Sequence, residues 1–155
     1  MKYLWIAICF FIALGLSAYF YSTALTQSTY VALPTVACID NTQPIKQNFS
    51  LIIAIYISNK KYSLDPTIGH DYGDCLHSIF TNDNSGKVYI KANDTIPLTL
   101  GQFFDVWKKT FSKQQIFSYQ VTTSHQIKVL VNNIPVNTYR ETVLKPNQAI
   151  TIIYN

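Results

Sequence analysis

The sequence is poor in charged residues. They make up 13% of the 155 residues, about half of the ~25% usual for globular proteins. The 12 Lys and Arg outnumber the 8 Asp and Glu, which gives a formal net charge of +4. The basic residues are scattered, and their densest groups are the pairs Lys60–Lys61 and Lys108–Lys109. Because nucleic-acid binding needs a basic stripe or cluster, we expect no nucleic-acid partner. We treat Lys108 and Lys109 as a candidate interaction surface for another protein.

Glycine is scarce, and the motifs of common enzyme classes are missing. The chain has five glycines and no glycine-rich loop that could cradle a phosphate. It contains no G-x-S-x-G element around a nucleophilic serine. The eight scattered acids indicate no pair of carboxylates placed for acid–base catalysis. We therefore predict a protein that is not an enzyme and that carries no cofactor.

The N-terminus contains a long apolar run without charge, Tyr3–Tyr21, which follows the single basic residue Lys2. Such a run is long enough to cross a bilayer as a helix. It also has the pattern of a secretory signal, since Ser22-Thr23-Ala24 resembles a cleavage site. Residues 1–24 are therefore predicted to be a signal peptide or a membrane anchor, and both alternatives stay open. Either one predicts that the remaining chain is exported, to the periplasm or the cell surface.

The chain has three cysteines, and one of them, Cys9, lies inside the apolar run. The remaining pair, Cys38 and Cys75, is predicted to form a disulfide in an oxidising compartment. Closing this loop would stabilise the fold by about 3–4 kcal/mol, mainly by restricting the unfolded chain.

Residues 25–47 are polar, interrupted by Pro34 and Pro44, and predicted to be a linker or extended arm. Residues 48–155 are predicted to form the folded domain. Its first element is the apolar, β-branched run FSLIIAIYI at 49–57, which is typical of a strand buried on both faces. A turn follows at 58–60, and residues 65–86 are predicted to be a long irregular segment.

The clearest element is a helix within PLTLGQFFDVWKKTF. Thr99 and Gln102 match a capping box at its start. The apolar residues recur at helical spacing as far as Phe111, and Lys108 and Lys109 are predicted to lie in the last turn, where they complement the helix dipole. The residues that form this apolar stripe are Leu100, Phe103, Phe104, Trp107 and Phe111.

A strand at 87–92, a hairpin around Asn132-Asn133 and a final strand at 149–155 complete the pattern. One helix among several strands predicts an α+β fold, with a single helix packed on a mixed or antiparallel sheet. The order of strands before and after the helix predicts a ubiquitin-like β-grasp arrangement.

A group of potential metal ligands lies just before the 87–92 strand. Zinc and copper sites use such side chains, but the spacing here matches no compact zinc signature. The alternative ligand set comprises His70, Asp74, His77 and Asp83, with Asp71 and Cys75 beside them.

The motifs from Cys38 to Tyr154 resemble those of a family of small exported or membrane-anchored domains found in bacteria and archaea. The most specific shared segment is T-L-G-Q-F-F-D-V-W at 99–107. The resemblance implies the same fold and an extracytoplasmic location. It also implies that a metal site built from the family's histidines has lost nearly all of its ligands here. The family's histidine positions are occupied in this chain by Asn48, Ser50, Ile52, Phe80, Asn82 and Tyr89.

These observations predict a non-enzymatic binding or scaffold domain exposed in the cell envelope. We expect it to be an accessory subunit of an envelope or membrane protein complex, such as a secretion system, with membrane contact through its N-terminal helix. The alternative function is copper or zinc binding by an extracytoplasmic domain through His70, His77 and nearby aspartates.

Overall fold

The structure, a computed structural model, describes residues 36–155. No helix within these residues combines the length and the apolar character needed to cross a membrane. The predicted signal peptide or anchor at 1–24 lies outside the described residues, as does the first part of the predicted linker. The remaining part of that linker is folded with the domain, because Val36 is buried in the core and Ile39 is hydrogen-bonded to Leu76.

Within residues 36–155 the chain forms nine β-strands, one α-helix and a short 3-10 helix at Tyr139–Glu141. The strands and the helix, in chain order, are β1 (Gln47–Ile57), β2 (Lys60–Tyr62), β3 (Ile79–Phe80), β4 (Lys87–Ala92), α1 (Leu100–Val106), β5 (Gln115–Ile116), β6 (Tyr119–Gln120), β7 (Ile127–Val131), β8 (Ile134–Val136) and β9 (Ala149–Tyr154).

Seven strands form one sheet in the order β3-β4-β1-β9-β7-β8, with β2 paired to the second half of β1. The central pair β1 and β9 is parallel, whereas the other pairs in the sheet are antiparallel. The described chain is therefore α+β, with one α-helix and a mixed sheet of seven strands. β5 and β6 form a separate small hairpin, which the sequence did not indicate.

Two predicted hairpin turns are present, and each depends on asparagine. Ser58 and Asn59 between β1 and β2 have φ of 48° and 65°, and Asn132 and Asn133 between β7 and β8 have φ of 51° and 67°. Positive φ at both central residues matches the right-handed twist of the paired strands. Asparagine tolerates this region better than most side chains.

The helix begins where the sequence predicts, because the Thr99–Gln102 capping box is present. The prediction that Lys108 and Lys109 lie in its last turn is wrong. The chain leaves the helix at Trp107, and Lys108 takes the left-handed conformation with φ of 58°. The amides of Lys108 and Lys109 then bond back to the carbonyls of Asp105 and Phe104, which closes a Schellman motif.

α1 packs on one face of the sheet, which we call the inner face, and the hydrophobic core lies between them. The rings of Phe104 and Phe111 stack with centroids 4.3 Å apart, although Phe111 lies beyond the helix. Gly86 fits closely against β1, since a Cβ there would come within 2.7 Å of the carbonyl oxygen of Ile53. The largest fully buried side chains are Phe103, Phe104, Phe111, Leu51, Ile53, Ile55, Ile79, Ile90, Leu100, Ile116, Ile150 and Ile152.

The segment predicted to be irregular, residues 65–86, contains the edge strand β3. This strand has two residues, too few for any periodic pattern to indicate it. Its position depends on Gly69, which has φ of 81° and passes so close to Ile79 that a Cβ would meet its carbonyl oxygen.

The prediction that both faces of β1 are buried is wrong, because one face is partly exposed in the described structure. Ile53 on the inner face is 1% exposed, whereas its neighbour Ile52 is 44% exposed. No helix in the described part of the chain covers the opposite side of the sheet, which we call the open face.

Candidate functional site

Cys38 and Cys75 are joined by a disulfide, as predicted, with their Cα atoms 5.3 Å apart. The bond fastens the start of the described chain to the segment before β3, where Cys38 pairs with His77 in an antiparallel bridge. The amide of Ile39 donates to the carbonyl of Leu76 at 2.7 Å. A disulfide at this position indicates an oxidising compartment.

His77 is held at both ring nitrogens. Nδ1 lies 2.8 Å from the carbonyl oxygen of Val36, and Nε2 lies 2.9 Å from Oδ2 of Asp71. Both ring nitrogens are therefore engaged within the molecule, and a metal bound at either one would have to displace one of these contacts.

Asp71 joins His77 to the segment after α1. Its second carboxylate oxygen accepts from Nζ of Lys108 at 3.1 Å. The hydrogen bond from His77, followed by the one from Lys108, lowers the pKa of Asp71 below its ordinary value. The group is exposed, so this network orders the loop more than it stabilises the fold.

Two of the other candidate ligands, Asp83 and His70, contact the backbone of nearby residues. Asp83 accepts from the amide of Ser85 at 2.8 Å, and the Ser85 hydrogen bonds lower the pKa of Asp83 below its ordinary value. Nε2 of His70 lies 2.9 Å from the carbonyl oxygen of Thr81. Asp74 occupies an exposed tip, with φ of 63°.

The ligand set proposed from the sequence does not come together as a group of three in the described residues. The side chains that do converge are Cys38, Cys75 and His77, whose ligand atoms lie within 4.8 Å of one another. The disulfide holds both sulfur atoms, whereas a metal would need them as thiolates. Metal binding by this group would therefore require reduction of the disulfide.

Lys108 and Lys109 lie at the rim of an open pocket of about 350 Å³. Its charges are largely paired within the molecule. Arg140 makes a two-pronged contact with Asp105 at 2.8 and 2.6 Å, and Lys108 pairs with Asp71. Little net charge remains to attract an anionic ligand. The lining residues are Phe104, Asp105, Lys108, Lys109, Thr110, Phe111 and Arg140.

A serine and a histidine meet at one other place. Oγ of Ser124 lies 3.0 Å from Nδ1 of His125, whose ring stacks on Tyr154. Nucleophilic catalysis by such a pair needs a third group that orients the imidazole. No carboxylate in residues 36–155 is hydrogen-bonded to this ring.

The open face of the sheet is apolar at its centre. A sheet face exposed to water normally presents polar side chains. Here the outward positions of β1 include Ile52, Ala54 and Tyr56, and Ile153 on β9 lies directly opposite Tyr56. An uncovered apolar sheet surface of this kind is typical of an interaction site.

Lysine side chains flank this apolar centre. In the register of the sheet, Lys87 lies opposite Ile52 and Lys128 lies opposite Ile153. Nζ of Lys87 sits 5.0 Å from the centroid of the Tyr89 ring, a cation–π contact. No strand of the seven-stranded sheet carries an Asp or Glu. Its strands do carry Lys60, Lys61, Lys87, Lys91 and Lys128.

Positions that the family resemblance marks as histidines lie in a row on the same sheet. Ser50 pairs with Tyr89, and Tyr89 pairs with Phe80. The rings of Phe80 and Tyr89 stack with centroids 5.4 Å apart. This chain has an aromatic pair where the resemblance implies ligands. No local pattern indicates that these separated positions meet, since only the pairing of β1, β4 and β3 brings them together.

The fold and the disulfide define the class of the described part of the chain: a disulfide-bonded α+β domain in which residues 36–155 leave one sheet face uncovered. Comparison with family models, curated proteins and solved structures found no match to this chain.

Proposed function

We propose that this protein is a non-enzymatic binding domain that acts outside the cytoplasm as a subunit of a protein complex in the cell envelope. The observation that carries this proposal is the open face of the sheet, with its apolar centre, flanking lysines and strands without carboxylates. Ile52 at its centre is 44% exposed. Burying such a surface against a partner releases water from apolar atoms, which is the main favourable term in association.

The location is part of the same proposal. The Cys38–Cys75 disulfide supports an oxidising compartment. The apolar run in residues 1–24 supports export by a signal peptide or an N-terminal anchor. We also propose a β-grasp arrangement, supported by the parallel pairing of the first and last strands at the centre of the sheet.

A substitution on the open face tests the proposal. In Ile52→Asp, a carboxylate replaces the most exposed large apolar side chain of that face, so we expect the full chain, extracted in mild detergent, to lose its bound partner chains. Ile134→Asp is the matched control, since Ile134 is 67% exposed but lies at the sheet edge on β8. Urea unfolding of both variants checks the fold. Unchanged co-purification and size for Ile52→Asp would contradict a binding role for the open face.

A second candidate function is metal binding that depends on reduction. It is supported by the convergence of Cys38, Cys75 and His77 within 4.8 Å. Two thiolates and an imidazole are suitable ligands for zinc or copper, provided that His77 gives up its contact with Val36 or Asp71. Metal analysis of the full chain before and after reduction tests this function, with His70→Ala/His77→Ala as the variant. Equal metal content in the variant and the native chain would end the idea.

A further inference from the structure

The loop before β3 carries a sharp tip, Asp71-Tyr72-Gly73-Asp74. Gly73 and Asp74 both have positive φ, at 80° and 63°, so the chain reverses direction there. Tyr72 is 105% exposed, which means that its ring touches nothing else in the described residues. Tyrosine is among the residue types enriched at the energetic centres of protein interfaces, so this exposed ring is a candidate binding residue.

The base of this tip is fastened by several bonds. The amide of Asp71 donates to the carbonyl of Cys75 at 3.0 Å, and Cys75 is linked to Cys38. The Asp71 carboxylate accepts from His77 at 2.9 Å and from Lys108 at 3.1 Å. An exposed aromatic side chain on a fixed base loses little conformational entropy when it binds, which favours association.

Lys108 adopts an unfavourable backbone conformation where it makes this contact. It has φ of 58° at the end of α1, a position where glycine is the usual residue. A glycine could close the helix but could not reach Asp71. Strain that persists in a backbone supports a functional hypothesis when the strained residue has a definable task. Here that task is to hold the base of the tip.

The tip and the open face have opposite electrostatic character. Residues 62–86 contain four aspartates and no lysine or arginine, whereas the strands of the large sheet contain lysines and no acid. Within the tip, Asp71 is paired with Lys108, so Asp74 supplies the negative charge that faces solvent. The tip is bonded to the segment after α1, and the open face is the sheet surface that α1 leaves uncovered. The same molecule therefore carries two complementary surfaces, and the fully exposed Tyr72 does not reach the open face of its own chain.

We propose that the Tyr72 tip of one copy of this chain docks on the open face of a second copy. The tyrosine ring packs against Ile52 and Ile153, while Asp74 lies near Lys128 or Lys87. This proposal rests on the proposed function, because it names the partner of the open face. The contact joins two different surfaces, so repeating it gives a ring or an open chain of copies.

The observations favour a second copy over a lipid surface as the occupant. Ile52 is the only large apolar side chain of the open face that is more than 36% exposed among the described residues, and this single side chain offers little apolar area for insertion into a bilayer. An acidic, tyrosine-bearing element fits it better, and the chain itself provides one.

Photocrosslinking tests the proposal in the full-length chain within the membranes of cells that produce it. A photoreactive phenylalanine analogue replaces Tyr72, which cannot disturb the fold because that side chain has no contacts. We expect a product of twice the mass of the chain, with the crosslink mapped by mass spectrometry to β1 or β9. Lys128→Glu should lower the yield of this product about tenfold, because it opposes like charges.

Two further variants make the test specific. Lys113→Glu is the matched control, since Lys113 is an exposed lysine outside both surfaces, and it should leave the yield unchanged. Asp74→Lys combined with Lys128→Glu should restore the product, because the charges are then exchanged. Crosslinks to another protein or to lipid, self-crosslinks outside the open face, or no crosslink would each overturn the proposal. The Ile52→Asp experiment decides separately whether the open face binds protein at all.

Discussion

Ile52 and Ile53 are adjacent in β1, yet they lie in opposite environments. Ile53 points to the inner face and is 1% exposed, whereas Ile52 points to the open face and is 44% exposed. The two side chains are chemically identical, so composition cannot explain the difference. The inner face is completed by α1 and its aromatic residues, while no helix of the described chain completes the other. Within residues 36–155, one face of this sheet therefore builds the core, and the other is left accessible.

The charges follow the same division. Asp105 and Glu141 are carried by α1 and the 3-10 helix, and the other acids lie outside regular elements. On the side that lacks a helix, the charged residues of the strands are lysines, such as Lys87 and Lys128. A sheet face that serves only solubility usually carries both positive and negative side chains. The one-sided charge of the open face therefore supports a partner that is acidic.

The largest expected effect comes from substituting the two neighbouring isoleucines. Ile53→Ala should lower the free energy of unfolding by about 2–5 kcal/mol, because it leaves a cavity in the core. Ile52→Ala should lower it by less than about 1 kcal/mol, because its side chain is already partly in water. Urea unfolding of both variants measures the difference. Equal losses would mean that the open face is covered in the native protein.

Removing the disulfide tests the connection between the tip and the rest of the domain. Cys38→Ser/Cys75→Ser should lower the free energy of unfolding by about 3–4 kcal/mol, because the unfolded chain regains the freedom of the opened loop. Hydrogen exchange should increase near the bridge at His77 and remain unchanged in β9, away from the disulfide. Faster exchange throughout the sheet would contradict a local role for the bond.

Substituting the lysines that follow α1 should have a smaller effect on stability. Lys108→Gly removes the left-handed strain but also the contact with Asp71, whereas Lys109→Gly only adds freedom to the unfolded chain. We expect Lys108→Gly to be the more stable variant by about 1 kcal/mol. Thermal and urea unfolding of the pair measure this. The opposite order would show that the ion pair outweighs the strain.

The smallest effect is the dependence of stability on pH. Hydrogen bonds from Thr42, Thr67, His77 and Ser85 lower the pKa values of Asp40, Asp65, Asp71 and Asp83, respectively.

A carboxyl whose pKa is lower in the folded state binds its proton more weakly there than in the unfolded chain. Its contribution is therefore present above the ordinary aspartate pKa and is lost as the pH falls through the lowered value. We expect the urea midpoint to fall modestly as the pH drops from about 5 to about 2. Asp71→Asn should reduce that fall, and an unchanged slope would assign the pH dependence to other groups.

Much of the fold could be predicted because its signals are local. The capping box at Thr99 and the asparagine turns at Asn59 and Asn133 depend on residues within one turn of the chain. The end of α1 was predicted too late, since the aromatic pattern continues to Phe111 while the backbone leaves the helix at Trp107. The stacking of Phe111 on Phe104 is made by tertiary packing, which reproduces helical spacing without a helix.

The candidate site was harder to predict. The sequence flagged His77 and Asp71 as neighbours in the chain, but it could not indicate that Val36 would meet the other nitrogen of the imidazole. The open face could not be predicted, because the apolar run in β1 has the composition of a strand with both faces covered. Which face is covered depends on where α1 packs, and the sequence of β1 alone does not indicate this.

The cysteine pair, the turns, the start of the helix and the scarcity of charge follow from the amino-acid sequence alone. Each of these depends on residue chemistry or on contacts between near neighbours in the chain. The pairing of β1 with β9, the open face and the attachment of the tip through His77, Asp71 and Lys108 arise only in the folded domain. These features join residues that are distant in sequence, and the free energy of such contacts depends on the packing of the whole domain.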